Sequence, residues 1–231
     1  MRKIISEVHS ERFKKHSRVY RGVNRTFQDE ELKLLLNSVE KLTYKLLFML
    51  MGYCGFRVGE VVKLKLVDLD LEKRAIKVET EKQKLHVLDI QPIPESILPL
   101  LRLYIQKYQN RIEAHQGYLF PQDVKNNNAV TPEGVRKAFS YYRKICQLDR
   151  RYANANDERN PISLKQANRG LYELTPHSLR HWYKVKLDKA NVPYGLIKSL
   201  MRHSGGDITS MYGHYNFEEK KKAVDEVFDN L

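Results

Sequence analysis

Apolar positions recur at helical spacing in several separated stretches of the chain, and two short β-prone runs stand apart from them. Leu32, Leu35, Leu36 and Val39 mark one face of a first helix, and Thr26 with Asp29 supplies a capping-box start. Residues 42–54 are apolar around the whole helical circumference, which predicts a second helix buried on most sides. Gly52 and Gly55 punctuate its end. A short helix over 59–64 leads to two strands, 75–80 and 85–90, joined by the basic turn EKQK. That pair predicts the hairpin of a small antiparallel sheet. Helical periodicity returns over 95–110. Thr131 at a cap and Pro132 in a first turn then open a helix running to Cys146. Residues 178–191 and 193–203 predict two more helices. Residues 217–231 predict a last one, amphipathic, with Phe217, Val224, Val227, Phe228 and Leu231 among charged positions. The polar, aperiodic stretch 149–170 predicts a long surface loop. The expected fold class is α+β, mainly helical with a small antiparallel sheet.

Length and charge narrow the function. A chain of 231 residues can bury a full hydrophobic core in one domain. Lys and Arg number 41 against 28 Asp and Glu, a net charge of +13, and a domain this basic commonly faces a polyanion. The charge clusters in residues 1–25, where Arg2, Lys3, Arg12, Lys14, Lys15, Arg18, Arg21 and Arg25 meet only Glu7 and Glu11. Such an arm suits contact with a phosphate backbone, although a frayed basic terminus would have the same composition. The expected organisation is therefore an arm, 1–25, and one domain, 26–231. Cys54 and Cys146 form neither a disulfide framework nor a metal pattern, and Cys54 lies in an apolar run as a core thiol. No secretory leader follows Met1 and no apolar run reaches the length of a membrane span, so the chain reads as cytosolic.

Four stretches carry residue types suited to phosphoryl transfer. GFRVGE places Arg57 just after a helix end, and the EKQK turn offers Lys82 and Lys84. PHSLRHWY sets His177 and Arg180 three apart, on one side of a helix start. MRHSGGDITSMYGHY adds His203, Tyr212 and Tyr215. Singly, each has a plainer reading: an arginine in a surface ion pair, solvated lysines in a turn, a histidine at a helix end.

Their combination and order resemble the tyrosine recombinase, or phage integrase, family. The segment TPHSLRHWYKVKLDKANVPYGLIKSLMRHSGGDITSMYGHY is similar to the family's second box almost throughout, and the likeness covers 26–231. It implies the family's catalytic-domain fold and cutting and rejoining of double-stranded DNA through a 3′-phosphotyrosyl intermediate. It implies no cofactor and no metal. By the same likeness Arg57 and Arg180 hold the phosphate's nonbridging oxygens as planar, permanently charged forks. His177 resembles the family's base and His203 its second phosphate donor. A hairpin lysine protonates the leaving 5′ oxygen, with Lys82 preferred over Lys84. Tyr212, nine positions after His203, fits the nucleophile, which leaves Tyr215 as a packing residue. Arg202 departs from the pattern, standing where the family usually has glycine. So does the short arm, where such enzymes generally carry a separate helical DNA-clamping domain. The family's habit implies a tetramer on DNA, assembled through the C-terminal helix, whose apolar stripe suits packing in its own domain equally well. A type IB topoisomerase-like strand relaxer and a catalytically silent DNA-binding module are the alternatives. Glu60 is expected to orient Arg57 or cap locally, Trp182 and Leu179 to pack, and Asp68 and Asp70 to be structural.

Overall fold

A computed structural model describes residues 26–82, 85–122, 129–149, 174–202 and 215–229, with 80–82 and 85–87 described by their backbone. The basic arm, nearly all of the predicted 149–170 loop and the last two residues of the final predicted helix lie outside the described residues.

The chain opens with helix α1, Asp29–Ser38. Its cap is Gln28, two residues later than the predicted Thr26, because the Glu31 carboxylate reaches back 3.0 Å to the Gln28 N–H. Phe27 precedes that cap and is buried together with Leu32, the hydrophobic staple that fixes the entry angle. Helix α2, Leu42–Tyr53, is the central element. Leu46, Leu47 and Phe48 are fully buried, each contributing roughly 1.5–3 kcal/mol by leaving water. The uniformly apolar sequence is explained by neighbours on most of its faces.

Helix α3, Val58–Val61, is a single turn shorter than the predicted 59–64. A three-residue 3₁₀ turn follows, and then the sheet: β1 Leu69–Asp70, β2 Ala75–Lys82 and β3 Leu85–Pro92, antiparallel in that order. β1 is too short to show alternation and was not predicted. Both hairpin strands run beyond their predicted ends, with Lys82 opposite Leu85, so half of EKQK belongs to the ladder. Asp68 accepts from the Lys65 N–H at 2.7 Å and Asp70 from the Lys73 N–H at 2.9 Å, which makes both turn-closing residues, as expected.

Helix α4, Leu98–Ala114, begins after its own 3₁₀ turn and places Pro99 in the first turn, where the missing N–H is harmless. Helix α5, Pro132–Ile145, is capped by Thr131, whose hydroxyl accepts from Gly134 N at 3.1 Å. Helix α6, Pro176–Lys189, packs on α2, and helix α7, Tyr194–Leu200, packs on α6. Trp182 and Leu179 are buried, and the Trp182 indole donates to Asp29 at 2.8 Å, tying α6 to the start of α1.

Helix α8, Phe217–Phe228, packs its apolar stripe into its own domain, one of the two readings the sequence left open. Ala223, Val224, Val227 and Phe228 are buried in their own domain, and the Phe228 ring stacks on Tyr183 with centroids 4.9 Å apart. Arg74, in the turn after β1, clamps the helix through Asp225 at 3.0 and 2.5 Å. Lys220 reaches Asp89 of β3 at 3.0 Å.

Candidate active site

The site grows from the end of α2. Gly55 takes φ +62°, a left-handed turn that an L side chain resists. A Cβ there would also fall 2.5 Å from the Tyr183 ring. The turn sends Phe56 into the core and releases Arg57 as the N-cap of α3. Glu60, three residues on, then performs both roles expected of it. One carboxylate oxygen accepts the Arg57 backbone N–H at 2.8 Å, and the other accepts Arg57 Nη1 at 2.6 Å.

Arg57 is 41% exposed and lines a cleft of about 510 Å³. His177, in the first turn of α6, lines the same cleft. The ring of His177 meets that of His181 edge-on, centroids 4.9 Å apart. Arg180 shares the helix start but not the exposure. It is 1% exposed, and its two terminal nitrogens donate to the carbonyls of Gly55 and Met201. The sequence put His177 and Arg180 on one side of the helix, and the structure sets one at the cleft and the other beneath it.

The cleft also holds residues that motif spacing did not offer: Lys63, Glu79, Arg136 and Arg202. Arg136 sits on an exposed face of α5 where nothing local distinguishes it from a solvated charge. Arg202 had one signal, its intrusion at a glycine position. The structure buries it at the end of α7, with φ +50°. Arg202 Nη2 donates at 2.8 Å both to Glu60 and to the Gly55 carbonyl, and Nη1 donates to the Leu200 carbonyl at 3.0 Å. Its guanidinium lies 4.8 Å over the Phe56 ring.

Three guanidiniums thus surround one carboxylate. Burial alone would raise the Glu60 pKa, but the Arg202 charge and the hydrogen bonds from Arg202 and Arg57 outweigh it and hold the group below the usual range. Arg180 is also lowered, down to about 9, first by its burial and then by the nearby Arg202 and Arg57 charges. The cluster keeps excess positive charge under the cleft floor, an arrangement that an entering anion would relieve. Cys54 lies beneath the site with its thiol pKa raised by burial, an inert core thiol.

The remaining candidates are less visible. Lys84, His203 and Tyr212 lie outside the described residues. Lys82 is placed as the last residue of β2, the strand whose Glu79 already borders the cleft. Tyr215 packs: a Cβ on Gly195 of α7 would stand 2.9 Å from its hydroxyl. Among the described residues no cluster of three His, Cys, Asp or Glu side chains could hold a metal ion. Among them, too, no helix is long and apolar enough to cross a membrane.

Residues 25–219 match the model of the phage integrase family. Among curated proteins, the chain is 26% identical over 229 residues to the tyrosine recombinase XerC-like protein of Caldanaerobacter subterraneus. That match covers 88% of this chain and 54% of the relative, so the chain spans little more than half of that protein. Among solved structures, the integrase from mycobacterium phage Brujita superposes with a TM-score of 0.62 at 19% identity, over 90% of this chain and 60% of that one. The XerH site-specific recombinase bound to difH substrate superposes with a TM-score of 0.58 at 20% identity, over 85% and 52%.

Proposed function

Since the chain belongs to the phage integrase family, we propose that it is a tyrosine-type site-specific DNA recombinase working through a 3′-phosphotyrosyl intermediate. The observation that carries this reading is the arginine cluster built around Glu60, opening on a cleft it shares with His177. The XerH neighbour is bound to its difH substrate, which supports reading double-stranded DNA as the partner here.

In this reading the cleft receives one backbone phosphate. Arg57 approaches it from solvent, while Arg180 and Arg202 supply fixed positive charge from below. Such preorganised charge is worth most where the transition state gains negative charge on the nonbridging oxygens. His177 takes the Tyr212 proton, the phenolate oxygen bonds to phosphorus, and the bond to the 5′ oxygen breaks. Lys82, or Lys84 beyond the strand end, gives that oxygen its proton. The phosphotyrosyl ester conserves one phosphoester bond, so the free 5′ hydroxyl of a second strand can reverse the step without ATP, and no metal is needed. The basic arm, 1–25, would track the flanking backbone. Assembly into a tetramer on DNA through α8 would require that helix to leave the seat made by Tyr183, Arg74 and Asp89.

A random-sequence duplex library carrying nicks tests the proposal. Covalent complexes surviving denaturation are recovered and their DNA read. A single recurrent site is expected. Adducts spread over all sequences, with relaxation of supercoiled plasmid, would favour the topoisomerase-like alternative. No adduct at all would overturn catalysis.

A further inference from the structure

Arg202 is a buried cation at the cleft, and its contacts give it a second role beside supplying fixed charge. It sits where the chain turns left-handed, a conformation costly for an arginine and free for a glycine. The side chain spends its donors on three partners: Glu60, the Gly55 carbonyl and the Leu200 carbonyl. Two of these also serve the other two arginines of the cluster. Glu60 holds Arg57 at 2.6 Å, and the Gly55 carbonyl accepts from Arg180 as well. Arg202 therefore connects Arg57 and Arg180, although it reaches neither directly.

Its charge matters as much as its bonds. Were Glu60 paired with Arg57 alone, the carboxylate would neutralise the guanidinium that faces the cleft. Arg202 claims the same carboxylate at 2.8 Å, so one negative charge is divided between two cations and a net positive charge remains. The Arg202 Nε is buried with no acceptor among the described residues, so even this pairing leaves donor capacity unspent.

We propose that Arg202 is a positioning residue for strand cleavage: by holding Glu60 and the Gly55 carbonyl, it fixes Arg57 and Arg180 and keeps Arg57 electrostatically available to the phosphate. This rests on the recombinase reading above and deepens it.

The test compares wild type, Arg202→Gly and Arg202→Lys. Glycine suits the left-handed backbone at this position, so the side chain is removed without adding backbone strain. Each protein is given a nicked suicide duplex bearing either an ordinary phosphodiester or a neutral methylphosphonate at the cleavage position. A cleavage loss of about 10- to 100-fold is expected for Arg202→Gly on the phosphodiester, by analogy with the loss of residues that orient metal ligands. On the methylphosphonate, which has no charge to neutralise, the loss should shrink to a few-fold. Arg202→Lys should recover part of the rate. Equal losses on both substrates would mean that Arg202 only supports the fold, and wild-type cleavage by Arg202→Gly would overturn the proposal outright. A wild type that forms no adduct would defeat the recombinase reading, and the coupling is then judged without DNA. Arg202→Gly and Glu60→Gln should lower the melting temperature non-additively, and additive losses would refute the coupling.

Discussion

Replacing Glu60 with alanine puts the arrangement of the site at risk in a measurable way. The carboxylate accepts three hydrogen bonds, two from Arg57 and one from Arg202. The side-chain bond to Arg57 is screened, because that guanidinium is 41% exposed, and it contributes under about 1 kcal/mol. The pair with Arg202 is different, since both partners are buried. Removing one member of such a pair costs about 3–5 kcal/mol, much of it the penalty of leaving the other charge in the interior. Here two guanidiniums would be stranded, as Arg180 Nη1 also lies 3.9 Å from the carboxylate. For a chain of this length each kcal/mol moves the melting temperature by roughly 2–4 °C, so Glu60→Ala should lose about 6–20 °C. Circular dichroism melts at neutral pH, with exposed Glu72→Ala as control, would measure it. The loss should persist in high salt, because a buried pair is weakly screened. A loss under about 3 °C would refute the idea that Glu60 balances the buried arginines.

The Glu60 carboxyl, held below its ordinary value of 4.5, contributes stability that is complete above that pH and fades as pH falls through the folded value. Acid melts of wild type should therefore drop more steeply below pH about 4.5 than those of Glu60→Gln, and parallel curves would remove the linkage. Gly55→Ala combines a left-handed backbone with a Cβ 2.5 Å from Tyr183, and should cost about 2–4 kcal/mol in thermal unfolding. A cost under about 1 kcal/mol would show that the turn has slack. Arg74→Gly, whose φ of 56° glycine accepts, removes the clamp on Asp225 together with the weaker ion pairs to Asp229 and Glu95. It should lower stability by about 1–3 kcal/mol and speed proteolysis of helix α8, and unchanged cleavage would mean Phe228 suffices as the anchor.

How much of this was legible in the sequence depended on whether the deciding partner was local. The all-round apolar run of 42–54 announced a central helix, because burial on every side leaves a compositional mark. Arg57 and Glu60 could be paired from their spacing, since a capping box closes within one turn. Lys82 and Lys84 could be placed only on a hairpin, whose strands then proved longer than the alternation suggested. The depth of Arg180 was not legible. Periodicity reports which face of a helix a residue occupies, and the carbonyls that hold Arg180 come from Gly55 and Met201, distant in the chain. The partner of the last helix was hidden for the same reason: an amphipathic stripe predicts burial without saying against what. Arg202 showed itself only as an odd residue at a glycine position, and its contacts explain why an arginine tolerates that backbone.

The proposed chemistry runs through one tyrosine, and covalent trapping on a nicked suicide duplex, resolved on denaturing gels, checks it for wild type, Tyr212→Phe and Tyr215→Phe. An adduct is expected with wild type and with Tyr215→Phe, whose ring packs on Gly195, and none with Tyr212→Phe. An adduct that survives in Tyr212→Phe and disappears in Tyr215→Phe would contradict it.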